Sequence, residues 1–227
     1  SASRASLADP LNYPRARIVF AHGDAPSPEL VSALLGDGEG VLIVAADGGA
    51  EHALANGLLP DAIVGDLDTL HRLPHVRDAL PAERLHREGH LDTSDLEKAV
   101  SWAVANGCRD VDVVGAGGGR ADHALANLAV LTLFRGRANV RIHDEFFEIS
   151  FVDRSVEFSG PAGPVSPFAI GECTGVTTDG LRWPLTDFTL SFSPRGIHNE
   201  IASSPARVSV HSGDLLLFRG RWIEKHP

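Results

Sequence analysis

In the first half of the chain, short apolar runs alternate with stretches of helical period. "RIVFAHG" at 17–23, "VLIVAADGG" at 41–49, "DAIVGD" at 61–66 and "DVDVVGA" at 110–116 read as strands. Between and after them, "PSPELVSALLG" reads as a helix opened by Pro28 and closed by Gly36, and "AEHALANG" as a second. "SDLEKAVSWAVANG" is a clear amphipathic helix and "ADHALANLAVLTLF" another. Strands apolar on both faces that alternate with helices predict a parallel sheet covered on both sides, a doubly wound, Rossmann-like α/β domain. After about Asp144 the pattern changes. "EFFEISFVD", "SVEFSG", "FAIGECTGV", "FTLSFSP", "ARVSVHSG" and "LLLFRGRWI" are short, β-prone and separated by Gly, Pro and Ser clusters. They predict an all-β antiparallel sandwich. The expected organisation is an α/β domain over 15–144 and a β domain over 145–227. "GDGEG" at 36–40 reads as a flexible turn.

Charge removes several function classes. Twenty basic residues against 30 acidic ones leave a net charge of −10, which argues against a nucleic-acid or anionic-membrane surface. An anionic small ligand stays open, because a metal ion can bring its own positive charge. Cys108 and Cys173 lie far apart in no metal-ligand spacing, which suits a reduced compartment. No apolar run approaches the roughly 20 residues that span a bilayer. The opening "SASRASLADPLNYPRA" has no apolar leader core, so the expectation is a cytoplasmic protein.

In open parallel sheets, ligands sit beyond the carboxyl ends of the strands. Asp47, Gly48 and Gly49 follow the second predicted strand, and Asp66 and Asp68 follow the third. The fourth runs into Gly117, Gly118, Gly119, Arg120, Asp122 and His123; Asp92 and Asp95 stand at the entrance of the amphipathic helix. Ordinary structural roles exist for several of these. Asp47 before two glycines fits a turn, and Asp95 in "SDLE" fits a helix start in which Ser94 and Glu97 form a capping box. His123 fits a helix cap or a core position as well as a ligand contact. The pair Asp66 and Asp68 is harder to place, since like charges two residues apart repel and nothing basic adjoins them. A divalent cation relieves that repulsion, and Mg²⁺ takes one or two carboxylates together with phosphate oxygens. "GAGGGR" is neither a P-loop nor a dinucleotide fingerprint, yet its small residues expose backbone N–H groups at a helix start, and Arg120 adds a planar fork for phosphate.

These stretches together resemble a known family. "AADGGAEHALANGLLPDAIVGDLDTL", "DTSDLEKAV", "GAGGGRADHALANLAVL" and "GLRWPL…RGIHNE" look like the successive motifs of thiamine pyrophosphokinases, in chain order over roughly 17–227. The family motifs appear as Asp47-Gly48-Gly49, Gly65-Asp66-Leu67-Asp68-Thr69, Asp92-Thr93-Ser94-Asp95, Gly118-Gly119-Arg120-Ala121-Asp122-His123 and His198-Asn199-Glu200. His198 departs from the family's serine.

The resemblance implies an α/β domain followed by a β-sandwich, and a homodimer whose active sites lie between subunits. It implies transfer of the β,γ-diphosphoryl group of ATP to thiamine, giving thiamine diphosphate and AMP. On that reading Asp66, Asp68 and Asp95 hold Mg²⁺, with Asp47 and Asp92 nearby. Gly117, Gly118, Gly119, Arg120, Asp122 and His123 contact ATP. Trp183 stacks on the acceptor, Asn199 hydrogen-bonds its pyrimidine, and His198 sits at the rim. Two other readings carry the same motifs in part: a pyrophosphokinase acting on another heteroaromatic alcohol (pterin-like), and a non-catalytic nucleotide- or thiamine-binding protein.

Overall fold

The computed structural model describes residues 17–36, 40–90 and 92–221. The leader-peptide reading of the first 16 residues, most of the turn read at 36–40 and the end of the last predicted strand lie outside them. The chain divides into two compact units, Ser1–Arg120 and Ala121–Pro227.

The first unit holds β1 (Arg17–Phe20), α1 (Pro28–Leu35), β2 (Ile43–Ala46), α2 (Gly49–Ala55), β3 (Ala62–Gly65), α3 (Asp68–Arg72), α4 (Pro74–Arg77), β4 (Leu85–Arg87), α5 (Asp95–Ala105) and β5 (Asp110–Val114). Its strands run parallel in the order β4-β3-β2-β1-β5. The order reverses beside β1, and it is beyond the strand ends at such a switch point that open α/β sheets take their ligands. All four residues of β1, β2 and β3 are buried, which accounts for apolar runs without alternation. Ile18, Phe20, Ile43 and Val114 pack with Leu30 and Val31 of α1 and Ala53 of α2. Ala45, Ala50, Ile63, Leu67, Leu70, Val76 and Leu80 form a second cluster that anchors the short helices after β3. Local signals behave as read. Pro28 opens α1 with Ser27 capping Leu30 N–H at 3.1 Å, and Gly36 closes it at φ 60°.

The second unit begins with α6 (Ala121–Leu133) and continues through β6 (Asn139–His143), β7 (Phe147–Val152), β8 (Ser155–Phe158), β9 (Pro164–Asp179), β10 (Phe188–Ser191), β11 (Asn199–Glu200), β12 (Ala206–Ser209) and β13 (Ser212–Gly220). All of its pairings are antiparallel. The 16-residue β9 is the spine: β13 and β11 pair with its first part, β12 and β10 with its second. Val165, Ala169, Cys173 and Val176 of β9 pack with Leu190, Ala206, Val208, Leu215 and Leu217 in one core. The protein is thus a mixed β-rich fold, parallel in its N-terminal strands and antiparallel after them. No helix among the described residues is long and apolar enough to cross a membrane.

Candidate active site

Three carboxylates meet at the strand exits of the first unit. One oxygen each of Asp47, Asp66 and Asp95 lies within 4.8 Å of the others. Asp47 ends β2, Asp66 follows β3, and Asp95 opens α5, so the parallel sheet itself gathers residues distant in sequence. Gly65 makes room for them: a Cβ there would lie 3.0 Å from both Asp47 Cβ and Asp95 Oδ1.

Each acid also accepts backbone N–H groups. Asp47 is buried and left-handed at φ 42°, and its Oδ2 and Oδ1 accept from Thr69 N (2.9 Å) and Leu70 N (3.0 Å). It therefore caps α3 from across the fold, satisfying donors that a helix start leaves open. Burial pushes the Asp47 carboxyl above its ordinary range; the Thr69 and Leu70 hydrogen bonds pull it back, and the charge of Asp95 adds to the rise. Asp66 Oδ1 accepts from Asp68 N at 3.0 Å, and Asp95 Oδ1 accepts from Asp66 N at 3.3 Å. Between Asp66 and Asp68, Leu67 takes the left-handed region at φ 64° and buries its side chain, a strain the surrounding packing holds in place.

Asp68 stands apart from the trio. Its carboxylate accepts from Thr69 Oγ1 (3.2 Å) and pairs with Arg72 at 3.3 Å, both partners exposed. From the sequence, Asp68 was expected among the metal ligands and Asp47 beside them; in the structure Asp47 is the one that joins Asp66 and Asp95. Asp92 lies exposed in the turn before α5. Ser94 Oγ accepts from Glu97 N at 3.2 Å, so this helix start is capped as read.

Lys98 escaped sequence reasoning. Its side chain is 5% exposed and its Nζ donates to Asp95 Oδ1 at 2.9 Å. The i,i+3 spacing within "SDLEK" was a signal for the pair, but not for its burial. We expect Lys98→Met to destabilise the protein, and to do so less in an Asp95→Asn background. The coupling should be roughly 1–3 kcal/mol by denaturant titration; equal losses in both backgrounds would show that the ammonium acts independently of Asp95.

The glycine loop is stitched to the exit of β1. Gly23 N donates to Gly115 O (2.7 Å) and Asp24 N to Gly117 O (2.8 Å). Gly118 and Gly119 are left-handed at φ 72° and 61°, and the Asp24 carboxyl fills the space where a Gly118 Cβ would stand. Arg120 follows, exposed, as the last residue of this unit. Nearby, His22 contacts Glu51 (3.3 Å), and His52 Nε2 meets Gly23 O at 2.9 Å; neither histidine was singled out from the sequence.

In the second unit, Asp122 and His123 are exposed in the first turn of α6, where Asp122 Oδ1 accepts from His123 N at 3.0 Å. Trp183, His198 and Asn199 gather around β11. Trp183 is 55% exposed and carries the Arg182 guanidinium 4.9 Å from its ring centroid. His198 is exposed and left-handed at φ 63°, with its N–H donating to Ser166 Oγ at 3.2 Å. Asn199 is buried and bonded to backbone groups on both sides.

Comparison with known proteins gives this arrangement a context. The family model "Thiamin pyrophosphokinase, catalytic domain" matches residues 39–142, and "Thiamin pyrophosphokinase, vitamin B1 binding domain" matches 162–215, more than half of the chain between them. The chain belongs to the thiamin pyrophosphokinase family. It is 27% identical over 191 residues to the thiamine pyrophosphokinase of Bacillus subtilis, across 80% of this chain and 88% of that one. It is 33% identical over 152 residues to thiamine pyrophosphokinase 1 of Oryza sativa subsp. japonica, across 59% of this chain and 55% of the rice protein. Among solved structures, the B. subtilis enzyme superposes with a TM-score of 0.78 over 92% of this chain and all of that one, at 22% identity. The Candida albicans thiamin pyrophosphokinase gives 0.73 over 93% and 91%, at 16% identity. At such identities the superpositions establish the family fold; the two family models establish the membership.

Proposed function

We propose that this protein transfers the β,γ-diphosphoryl group of ATP to thiamine. The hydroxyethyl oxygen of thiamine attacks the β-phosphorus in line. The bond from that phosphorus to the α,β-bridging oxygen breaks, AMP leaves, and the hydroxyl proton passes to a carboxylate of the cluster. Such a reaction asks the protein mainly for positioning and charge neutralisation. The observation that carries the reading is the trio Asp47, Asp66 and Asp95, converging at strand ends within the part matched by the catalytic-domain model.

The donor set suits Mg²⁺: hard oxygen ligands gathered in a cradle that a Cβ on Gly65 would fill. Asp66, Asp68 and Asp95 would hold it. Recruiting Asp68 costs little, because its Arg72 pair is exposed, and Asp47 contributes from the buried side while fixing α3. When bound, the ion would supply positive charge against the phosphate oxygens. Lys98 orients Asp95. The glycine loop Gly117–Gly119 with Arg120 would cradle the transferring phosphates, and Asp92, Asp122 and His123 would contact ATP. Trp183 offers an open indole for the flat rings of thiamine.

The domain assignment that goes with this reading is 15–144 for Mg-ATP and 145–227 for thiamine. We also infer a homodimer. In support, Leu125 and Leu133, eight residues apart on α6, are 58% and 50% exposed and offer apolar surface to a second copy.

His198 favours one alternative, an enzyme of the same chemistry acting on another heteroaromatic alcohol. Its exposure and its single backbone tie to Ser166 argue for a rim position that leaves thiamine as the acceptor. His198→Ser should therefore change thiamine affinity only a few-fold, on the order of one hydrogen bond. Calorimetric titration of thiamine into both proteins decides. Comparable binding supports thiamine; binding by the serine variant alone overturns the acceptor and leaves the transfer chemistry standing.

A further inference from the structure

We propose that Asn199 is a positioning residue: it fixes the Trp183 indole as the ring-docking face of the second unit and does not itself touch the docked ring. The inference rests on the thiamine reading above and changes the part Asn199 plays in it, since its amide was expected to bond the pyrimidine. Asn199 is 6% exposed. Its Oδ1 accepts from Trp183 N (3.1 Å) and from Glu200 N (2.9 Å), and its Nδ2 donates to Trp183 O (2.7 Å). Three of the four hydrogen-bonding positions of the amide are thus spent on backbone, two of them on the same residue 16 positions away. Nor is Asn199 the residue that makes the turn: the left-handed conformation belongs to His198.

The grip is reinforced around it. Arg182 N donates to Glu200 O at 3.0 Å, and Leu181 bridges Ile201 in antiparallel fashion. The Arg182 guanidinium lies over the indole and pairs with the Glu200 carboxylate. An exposed tryptophan would ordinarily sample several rotamers. Here both backbone polar groups of Trp183 are tied to one buried amide, and a guanidinium neutralised by Glu200 lies against the ring. A platform set in advance spares the docking ring the entropy of ordering it.

The test is a double-mutant cycle on thiamine affinity, joined to a fluorescence measurement that needs no thiamine. Asn199→Ala should weaken thiamine binding about tenfold, for the loss of several hydrogen bonds that hold its partner. In a Trp183→Ala background the same change should weaken it less than about twofold, because coupled residues are not additive. Mg-ATP affinity should stay unchanged in each. For the second arm, Trp102→Phe and Trp222→Phe leave Trp183 as the one indole of the chain's three. Asn199→Ala in that protein should add fast motion to its anisotropy decay. Additive losses in the cycle would overturn the proposal, and so would an unchanged decay. If Asn199→Ala does not fold, Asn199→Asp serves: it keeps an oxygen to accept from Trp183 N and Glu200 N and sets a second carboxylate oxygen against the Trp183 carbonyl in place of the donating Nδ2, so the same coupling and the same added motion are expected, and their absence overturns the proposal equally. Failure of wild-type protein to bind thiamine would instead sink the substrate reading, and the anisotropy arm would still decide the role of Asn199.

Discussion

Asp66→Asn will leave the fold intact and lower diphosphoryl transfer by roughly 10²–10³-fold, the scale seen when one preorganised electrostatic partner of a transition state is removed. The fold should survive because the contact that Asp66 makes within the turn is accepted by Oδ1 from Asp68 N, and an amide oxygen accepts as well as a carboxylate. The missing element is a negative charge where Asp47 and Asp95 converge. With Asp66 neutral, the Lys98 ammonium offsets one of the two charges left on Asp47 and Asp95, so the variant should hold the cation more weakly. Turnover at saturating Mg²⁺ and ATP, with a thermal melt as control, gives the answer. A variant with near-normal turnover would reduce Asp66 to a turn-former.

Arg120→Lys should lower kcat/KM for ATP by about 10²-fold although the charge is kept. A guanidinium meets phosphate oxygens with a planar, bidentate fork, whereas an ammonium is a hydrated point charge on a flexible stem. The preceding backbone makes that distinction sharper. Gly118 and Gly119 are both left-handed, and Asp24 sits against Gly118, so an anionic group already stands at the loop. A phosphate arriving there needs a directed cation to outweigh it. Unchanged ATP kinetics in the lysine variant would move Arg120 out of the site.

Much of the architecture was legible in the sequence because it rests on burial. The four residues each of β1, β2 and β3 are buried, and apart from Arg17 at the start of β1 they form the unbroken runs without charge that such strands require. Helix starts at Pro28 and Ser94 were legible because capping is local chemistry. Elements held by a ladder alone were not. β4, with the sequence Leu-His-Arg, is an edge strand recruited by β3, and β11 is two residues paired to β9. The continuous β9 was read only in part, since Pro164, Pro167 and its glycines break the alternation that marks a strand. The short helix α3 depends on Asp47, 23 residues before Leu70, for its cap, and α3 and α4 both rest on a core cluster that no local window contains.

The site shows the same division. Which acids stand at strand ends could be read from the chain; which of them converge could not. Asp66 and Asp68 are two apart, yet the left-handed Leu67 separates their roles, sending one carboxylate to Asp47 and Asp95 and the other to Arg72. Lys98 was hidden because burial of a lysine is a property of the packing around it. Asn199 was visible as a motif residue, but its task depends on Trp183, and that relation exists only in the folded second unit.

The most direct test of the whole account is to incubate the protein with Mg-ATP and thiamine and resolve the nucleotide and thiamine products together. The account predicts AMP and thiamine diphosphate in equal amounts, with no thiamine monophosphate on the way. ADP formed with thiamine monophosphate would contradict it, because that outcome places the attack on the γ-phosphorus.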